Sequence, residues 1–96
     1  MPRNKVTRRL RFNPNILYFK PRGVPLRYLD EVVLEADELE ALKLKDYDDL
    51  NQTEAAAKMA ISQPTFQRIL TSARKKVAVA IIVGTAIRIN TGKETS

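Results

Sequence analysis

The chain has 96 residues and a formal net charge of +6, with no His, Cys or Trp. That length supports one domain with a modest core, to which a partner subunit could add stability. Without Cys or His there are no disulfides, thiol nucleophiles, imidazole bases or common zinc sites, so no enzyme, cofactor or metal is expected.

Val6 to Phe12 alternates: Val6, Leu10 and Phe12 share one parity, Arg9 and Arg11 the other, which is a short strand pattern. Asn13-Pro14-Asn15 breaks it, Ile16 to Phe19 is a brief apolar run, and Pro21 to Pro25 is a turn or extended loop. Val32-Val33-Leu34 reads as a second short strand. A helix is expected to open at Asp37, whose spacing to Glu40 is that of a capping box, with Leu39, Ala41, Leu42 and Leu44 inward and fraying near Asp46 to Asp49.

A second box, Asn51 with Glu54, opens a short Ala-rich helix to about Met59. Ala60-Ile61 forms a tight turn, and Ser62 caps a third helix with Pro64 in its first turn. This helix runs to about Val83, with Phe66, Ile69, Leu70, Ala73, Val77 and Ile81 on one face and Gly84 as its stop. Ala86 to Asn90 alternates again, with Ile87 and Ile89 opposite Arg88. The expected layout is a basic arm with short strands over 1–36, a helical core over 37–83, a strand over 84–90 and a tail over 91–96.

Gln52 to Thr71 has the arrangement of a helix-turn-helix: a short helix, a tight turn and a capped second helix. Ala55, Met59, Ile61, Phe66 and Ile69 supply its apolar positions, and Ala56 the small residue where the helices touch. The departure is Ala60, where Gly is favoured for a left-handed turn. With Phe66, Ile69, Leu70 and Ala73 inward, the exposed start of the third helix carries Ser62, Gln63, Thr65, Gln67 and Arg68. In a helix-turn-helix this end enters the major groove, where Gln can bond adenine N6 and N7 and Arg guanine O6 and N7. Gln63, Gln67 and Arg68 are therefore expected to contact bases, and Ser62 and Thr65 phosphates.

The opening MPRNKVTRRLRF, the PRGVP turn and the run from EVVLEADELEALKLK through LNQTEAAAKMAISQPTFQRIL and SARKKVA to TAIRI resemble a family of small prokaryotic proteins, domain of unknown function 134. The resemblance covers about residues 1–90. It implies a mainly α fold with a three-helix core like sigma-70 region 4, a long third helix and a few short flanking strands. It also implies a DNA-binding protein acting in transcription regulation. Relatives with added cysteines carry a metal or redox possibility that this Cys-free chain does not inherit.

Charge is segregated along the chain. Residues 1–29 hold eight Lys/Arg and no acid, residues 30–54 hold ten acids against Lys43 and Lys45, and residues 55–96 hold seven Lys/Arg against Glu94. A basic protein with such blocks suits a polyanion. Arg74, Lys75 and Lys76 are expected on phosphates where the helix leaves the groove, with Arg9, Arg11 and Arg88 on a small basic sheet made by pairing Val6–Phe12 with Ala86–Asn90. Arg3 and Lys5 are placed as an arm reaching the minor groove. Asp46, Asp48 and Asp49 read as a solvated acidic loop rather than a Mg²⁺ site. Val77 to Val83 is apolar on every side, so it must be covered on several faces and is expected to form a homodimer.

The expected function is sequence-specific binding of double-stranded DNA. The alternatives are an RNA-binding module or a sigma-like or antitoxin-like adaptor for another protein. No apolar run approaches a membrane span and no signal-peptide core follows Met1, so a cytoplasmic, nucleoid-associated protein is expected, without an evident small-molecule ligand.

Overall fold

The computed structural model describes residues 17–90. Strand β1 (Leu17–Phe19) leads through the proline-flanked turn, where Gly23 takes φ +84°, to a single 3-10 turn at Leu26–Tyr28 and strand β2 (Glu31–Leu34). Helix α1 (Ala36–Leu42) continues as a π-helical turn over Lys43–Tyr47. Helices α2 (Gln52–Met59) and α3 (Gln63–Val83) follow, then strand β3 (Ala86–Ile89). The fold is mainly α with a small three-stranded sheet.

The caps of α2 and α3 fall where the spacing puts them. Asn51 Oδ1 accepts from the Glu54 N–H at 2.8 Å, and Glu54 Oε1 accepts from the Asn51 N–H at 3.2 Å. Ser62 Oγ accepts from the Thr65 N–H at 3.2 Å, and Pro64 sits in the first turn of α3, where no donor is needed. The capping box of helix α1 lies two residues before the expected one. The helix is capped at Glu35, and Glu38 rather than Glu40 reaches back, accepting the Glu35 N–H at 2.9 Å. The physical reason lies in tertiary contacts: Glu38 is also held by Ser72 and Lys76 of α3, which fixes the residue that closes the box. Asp37 instead adds charge to the first turn, where the helix dipole favours it.

Fraying at Asp46–Asp49 is delayed by the π turn. The chain then reverses at Asp49, with φ +64°, a conformation Asp tolerates better than most residues. Leu50 N–H closes the reversal by donating to the Leu44 carbonyl at 3.0 Å.

Two apolar clusters sit on the same side of α3. Ala41, Leu44, Ala55, Ala56, Phe66 and Leu70 form the first, with Met59, Ile61 and Ile69 packed against it. Every apolar and small position assigned to the helix-turn-helix thus joins one core, and Ala56 lets α2 approach closely. Leu34, Ala73 and Ile89 form the second, which docks the sheet on the middle of α3. Between α2 and α3, Ala60 takes φ 60°, ψ 43°, and the Ile61 N–H donates to the Ala56 carbonyl at 3.1 Å. Ala thus occupies the left-handed position that favours Gly, at a cost of about 1 kcal/mol.

The inward stripe of α3 is Phe66, Leu70, Ala73 and Ala80, with Val77 half-buried. Ile81 was expected on this stripe and is instead 74% exposed. Steps of four and three residues carry the stripe from Phe66 to Ala80, and Ile81 lies a further ~100° around the helix.

The sheet order is β1-β3-β2, with β1 antiparallel and β2 parallel to β3. Leu17 and Phe19 pair with Ile89 and Ile87, and Val32 and Leu34 pair with the same two residues from the other side. These six side chains share one face, and Arg88 lies on the other, as its alternation predicts. The partner of β3 is a correction. Both edges of β3 are taken by β1 and β2, so the expected pairing with Val6–Phe12 is replaced by Leu17–Phe19. Arg3, Lys5, Arg9, Arg11 and the Val6–Phe12 pattern lie outside the described residues, as does the tail 91–96. No helix among the described residues is long and apolar enough to cross a membrane.

Candidate nucleic-acid interface

The start of α3 is built by its own caps. Ser62 Oγ, besides accepting from the Thr65 backbone, donates to Thr65 Oγ1 at 2.9 Å. Thr65 is half-buried and organises the turn, while Ser62, Gln63, Gln67 and Arg68 are exposed. Gln67 Nε2 donates to Thr71 Oγ1 at 3.2 Å, and Arg68 Nη2 reaches Thr65 Oγ1 at 3.4 Å. Both contacts are to neutral hydroxyls one turn away, leaving both polar heads open to an incoming ligand. Gln52 Nε2 at the start of α2 donates to the Gln63 carbonyl at 3.5 Å and so joins the two helix starts.

Gln52 and Thr71 were not singled out from the sequence. Thr71 had a signal, its i+4 spacing from Gln67 on one helix face. Gln52 had none, because its partner is fixed only by the crossing of α2 and α3.

Folding resolves much of the segregated charge. Arg74 makes a two-pronged contact with Asp46 at 2.6 and 3.0 Å. Lys76 Nζ donates to Glu38 Oε1 and to the Val33 carbonyl, both at 2.7 Å. Arg88 Nε donates to Glu31 at 3.2 Å, and Lys43 Nζ to Asp48 at 2.7 Å. The acidic middle block therefore takes up three cations of the third block. Arg74, Lys76 and Arg88, expected on phosphates, are here the partners of carboxylates. Lys76 moves furthest, because its ammonium lies between α1 and β2. Asp46 and Asp48 serve the ion pairs, and no metal-holding cluster occurs among the described residues.

The cations of this block left without an ion pair among the described residues are Lys58, Arg68 and Lys75. Arg68 and Lys75 lie seven residues apart, on one outward stripe with Thr71. The free positive charge of α3 thus coincides with the face that carries Gln67.

The Glu38 network anchors this face from behind. Burial alone would push the Glu38 carboxyl up. The Glu35 N–H, the Lys76 ammonium, the Ser72 hydroxyl and the Lys76 charge outweigh that, and the carboxyl titrates below the usual glutamate range. Asp46 is likewise lowered, first by its hydrogen bonds from Arg74. That pair is half exposed and worth at most about 1 kcal/mol.

These elements define a mainly α protein whose α2 and α3 have the geometry of a helix-turn-helix. The family described as "Protein of unknown function DUF134" matches residues 1–96, and the chain belongs to that family. It is 55% identical over 92 residues to a UPF0251 protein of Moorella thermoacetica, covering 96% of this chain and 62% of that one. It is 52% identical over 92 residues to a UPF0251 protein of Caldanaerobacter subterraneus, covering 96% and 78%. A UPF0251 protein of Desulforudis audaxviator is 53% identical over 92 residues, with coverage of 96% and 60%. The chain therefore spans about three fifths to four fifths of the length of these relatives. No solved structure matches it.

Proposed function

We propose that this protein binds double-stranded DNA sequence-specifically and regulates transcription, reading the major groove with the start of α3. The observation that carries this reading is the open face of Gln63, Gln67 and Arg68 on a capped helix start whose other side, Phe66, Ile69 and Leu70, packs into the core. Gln67 and Arg68 bring the side-chain types that bond adenine and guanine edges in pairs, and each such contact discriminates by about 1–3 kcal/mol. Ser62 and Lys75 suit phosphate oxygens. The reassigned Arg74, Lys76 and Arg88 leave fewer phosphate contacts than composition suggests, so the salt dependence is that of a small cation set.

The test is titration of a labelled duplex across a salt series, with single-stranded RNA and duplex DNA as competitors. Binding should weaken linearly in log–log form as salt rises, with a slope near −0.9 for each phosphate neutralised. Duplex DNA should compete and single-stranded RNA should not. Preferential competition by the RNA would transfer the site to RNA recognition. No binding to either would favour an adaptor for another protein.

A further inference from the structure

Among the described residues α3 makes two ion pairs, and they differ in how open they are. Lys76 and Glu38 are 30% and 9% exposed, held where α1 and β2 meet the helix. Arg74 and Asp46 are 49% and 40% exposed, so water and solutes reach both partners.

Asp46 meets Arg74 because the turn that carries it is pinned at both ends. The Asp48 N–H donates to the Lys43 carbonyl at 2.7 Å, the five-residue closure of the π turn, and Lys43 Nζ donates to Asp48 Oδ2 at 2.7 Å. Just beyond, the Leu50 N–H bonds to the carbonyl of Leu44, whose side chain lies in the core. Asp46 is thereby set against α3, and its two carboxylate oxygens accept from Nε and Nη2 of Arg74 at 3.0 and 2.6 Å. That fork is also how Arg binds a phosphate, so a phosphate and the Asp46 carboxylate compete for the same two donors.

Arg74 lies seven residues beyond Gln67, and both are exposed. Seven residues carry the helix roughly 10 Å onward and turn it by only about 20°, so the two side chains share one flank of α3. The major groove is about 12 Å wide. A side chain at that distance from one that reads a base edge lies toward the sugar-phosphate strand bounding the groove.

Given the DNA reading, on which this step rests, we infer that Arg74 is a withheld phosphate contact and that Asp46 withholds it. In the free protein the guanidinium is occupied by a carboxylate of its own chain. A backbone phosphate gains Arg74 only by displacing Asp46, and the displaced carboxylate then repels that phosphate. Wild-type binding therefore proceeds on the remaining cations. Asp46 lowers the sequence-independent part of the affinity and leaves a larger share to the base contacts.

The test is titration of a labelled duplex of mixed sequence with the full chain across a salt series. Four proteins are compared: wild type, Asp46→Asn, Asp49→Asn, and Asp46→Asn combined with Arg74→Ala. Asp46→Asn should bind about three- to tenfold more tightly at roughly 0.1 M salt, with a salt slope steeper by about 0.9, the value for one added phosphate contact. Asp49→Asn removes the same charge from the same loop but leaves Arg74 engaged, and Asn tolerates the φ of +64° at that position. It should leave the slope unchanged. Adding Arg74→Ala to Asp46→Asn should return affinity and slope to near the wild-type values. Asp46→Ser should repeat the gain if Asp46→Asn loses its helical circular dichroism. If wild type binds the duplex and the charge-free variants at Asp46 bind it no better, the inference is overturned while the DNA reading stands. The same holds if Asp49→Asn gives an equal gain and slope. If wild type binds no duplex, the DNA reading falls and this inference with it.

Discussion

Arg68→Ala should flatten the preference for one base pair of the bound site, costing about 1–3 kcal/mol on the preferred duplex and little on duplexes already mismatched there. The Arg68 guanidinium is exposed, has no carboxylate partner among the described residues, and holds only a 3.4 Å contact to Thr65 Oγ1. Its removal therefore leaves the fold intact and takes away a bidentate donor. Lys75→Ala should behave differently. Lys75 lies two turns further along the same stripe, where it suits a phosphate, so all sequences should weaken alike and the salt slope should shrink by about 1. Fluorescence anisotropy on a panel of single-base variants separates the two patterns. Equal loss on every duplex for both substitutions would contradict the assignment of the reading face.

The largest stability effect is expected at Glu38. Its carboxylate accepts from the Glu35 N–H, Lys76 and Ser72, so Glu38→Ala strips partners from an ammonium and a hydroxyl at the α1–α3 contact. Removing one member of a buried pair costs about 3–5 kcal/mol, and the 30% exposure of Lys76 reduces this to roughly 2 kcal/mol, or a fall in thermal midpoint on the order of 10 °C. The pH dependence has a definite sign. Because the folded-state pKa of Glu38 is lowered, its contribution is complete above the ordinary glutamate range and is lost as pH falls through the folded value. The gap between wild type and Glu38→Ala should therefore be wide at neutral pH and narrow on acidification. Denaturant melts at several pH values measure it, and a gap independent of pH would show packing rather than ionisation at work. Asp46, also lowered, should leave a residual acid dependence in the variant.

Local chemistry made the central fold legible in the sequence. Asn51, Glu54, Ser62, Pro64 and Gly84 act on residues within four positions of themselves, so spacing alone locates the ends of α2 and α3. The start of α1 was misplaced because Glu38 answers to Ser72 and Lys76, more than thirty residues away. The same distance explains the reassigned cations. Arg74, Lys76 and Arg88 looked free in a basic block, but their carboxylates sit in the acidic block that folding brings alongside. The outward direction of Gln63, Gln67 and Arg68 follows by elimination, since the residues left over from a buried stripe face solvent, and all three are exposed. The exposure of Ile81 escaped that rule, because small errors in helical period accumulate over four turns.

Base reading by the start of α3 is the claim from which the functional account follows. Selection of bound sequences from a random duplex pool, with wild type and Gln67→Ala in parallel, tests it most directly. The account predicts an enriched motif for the wild type and a loss of preference confined to one or two adjacent positions for the variant. A pool that emerges from the wild-type selection as random as it entered, despite measurable binding, would contradict it.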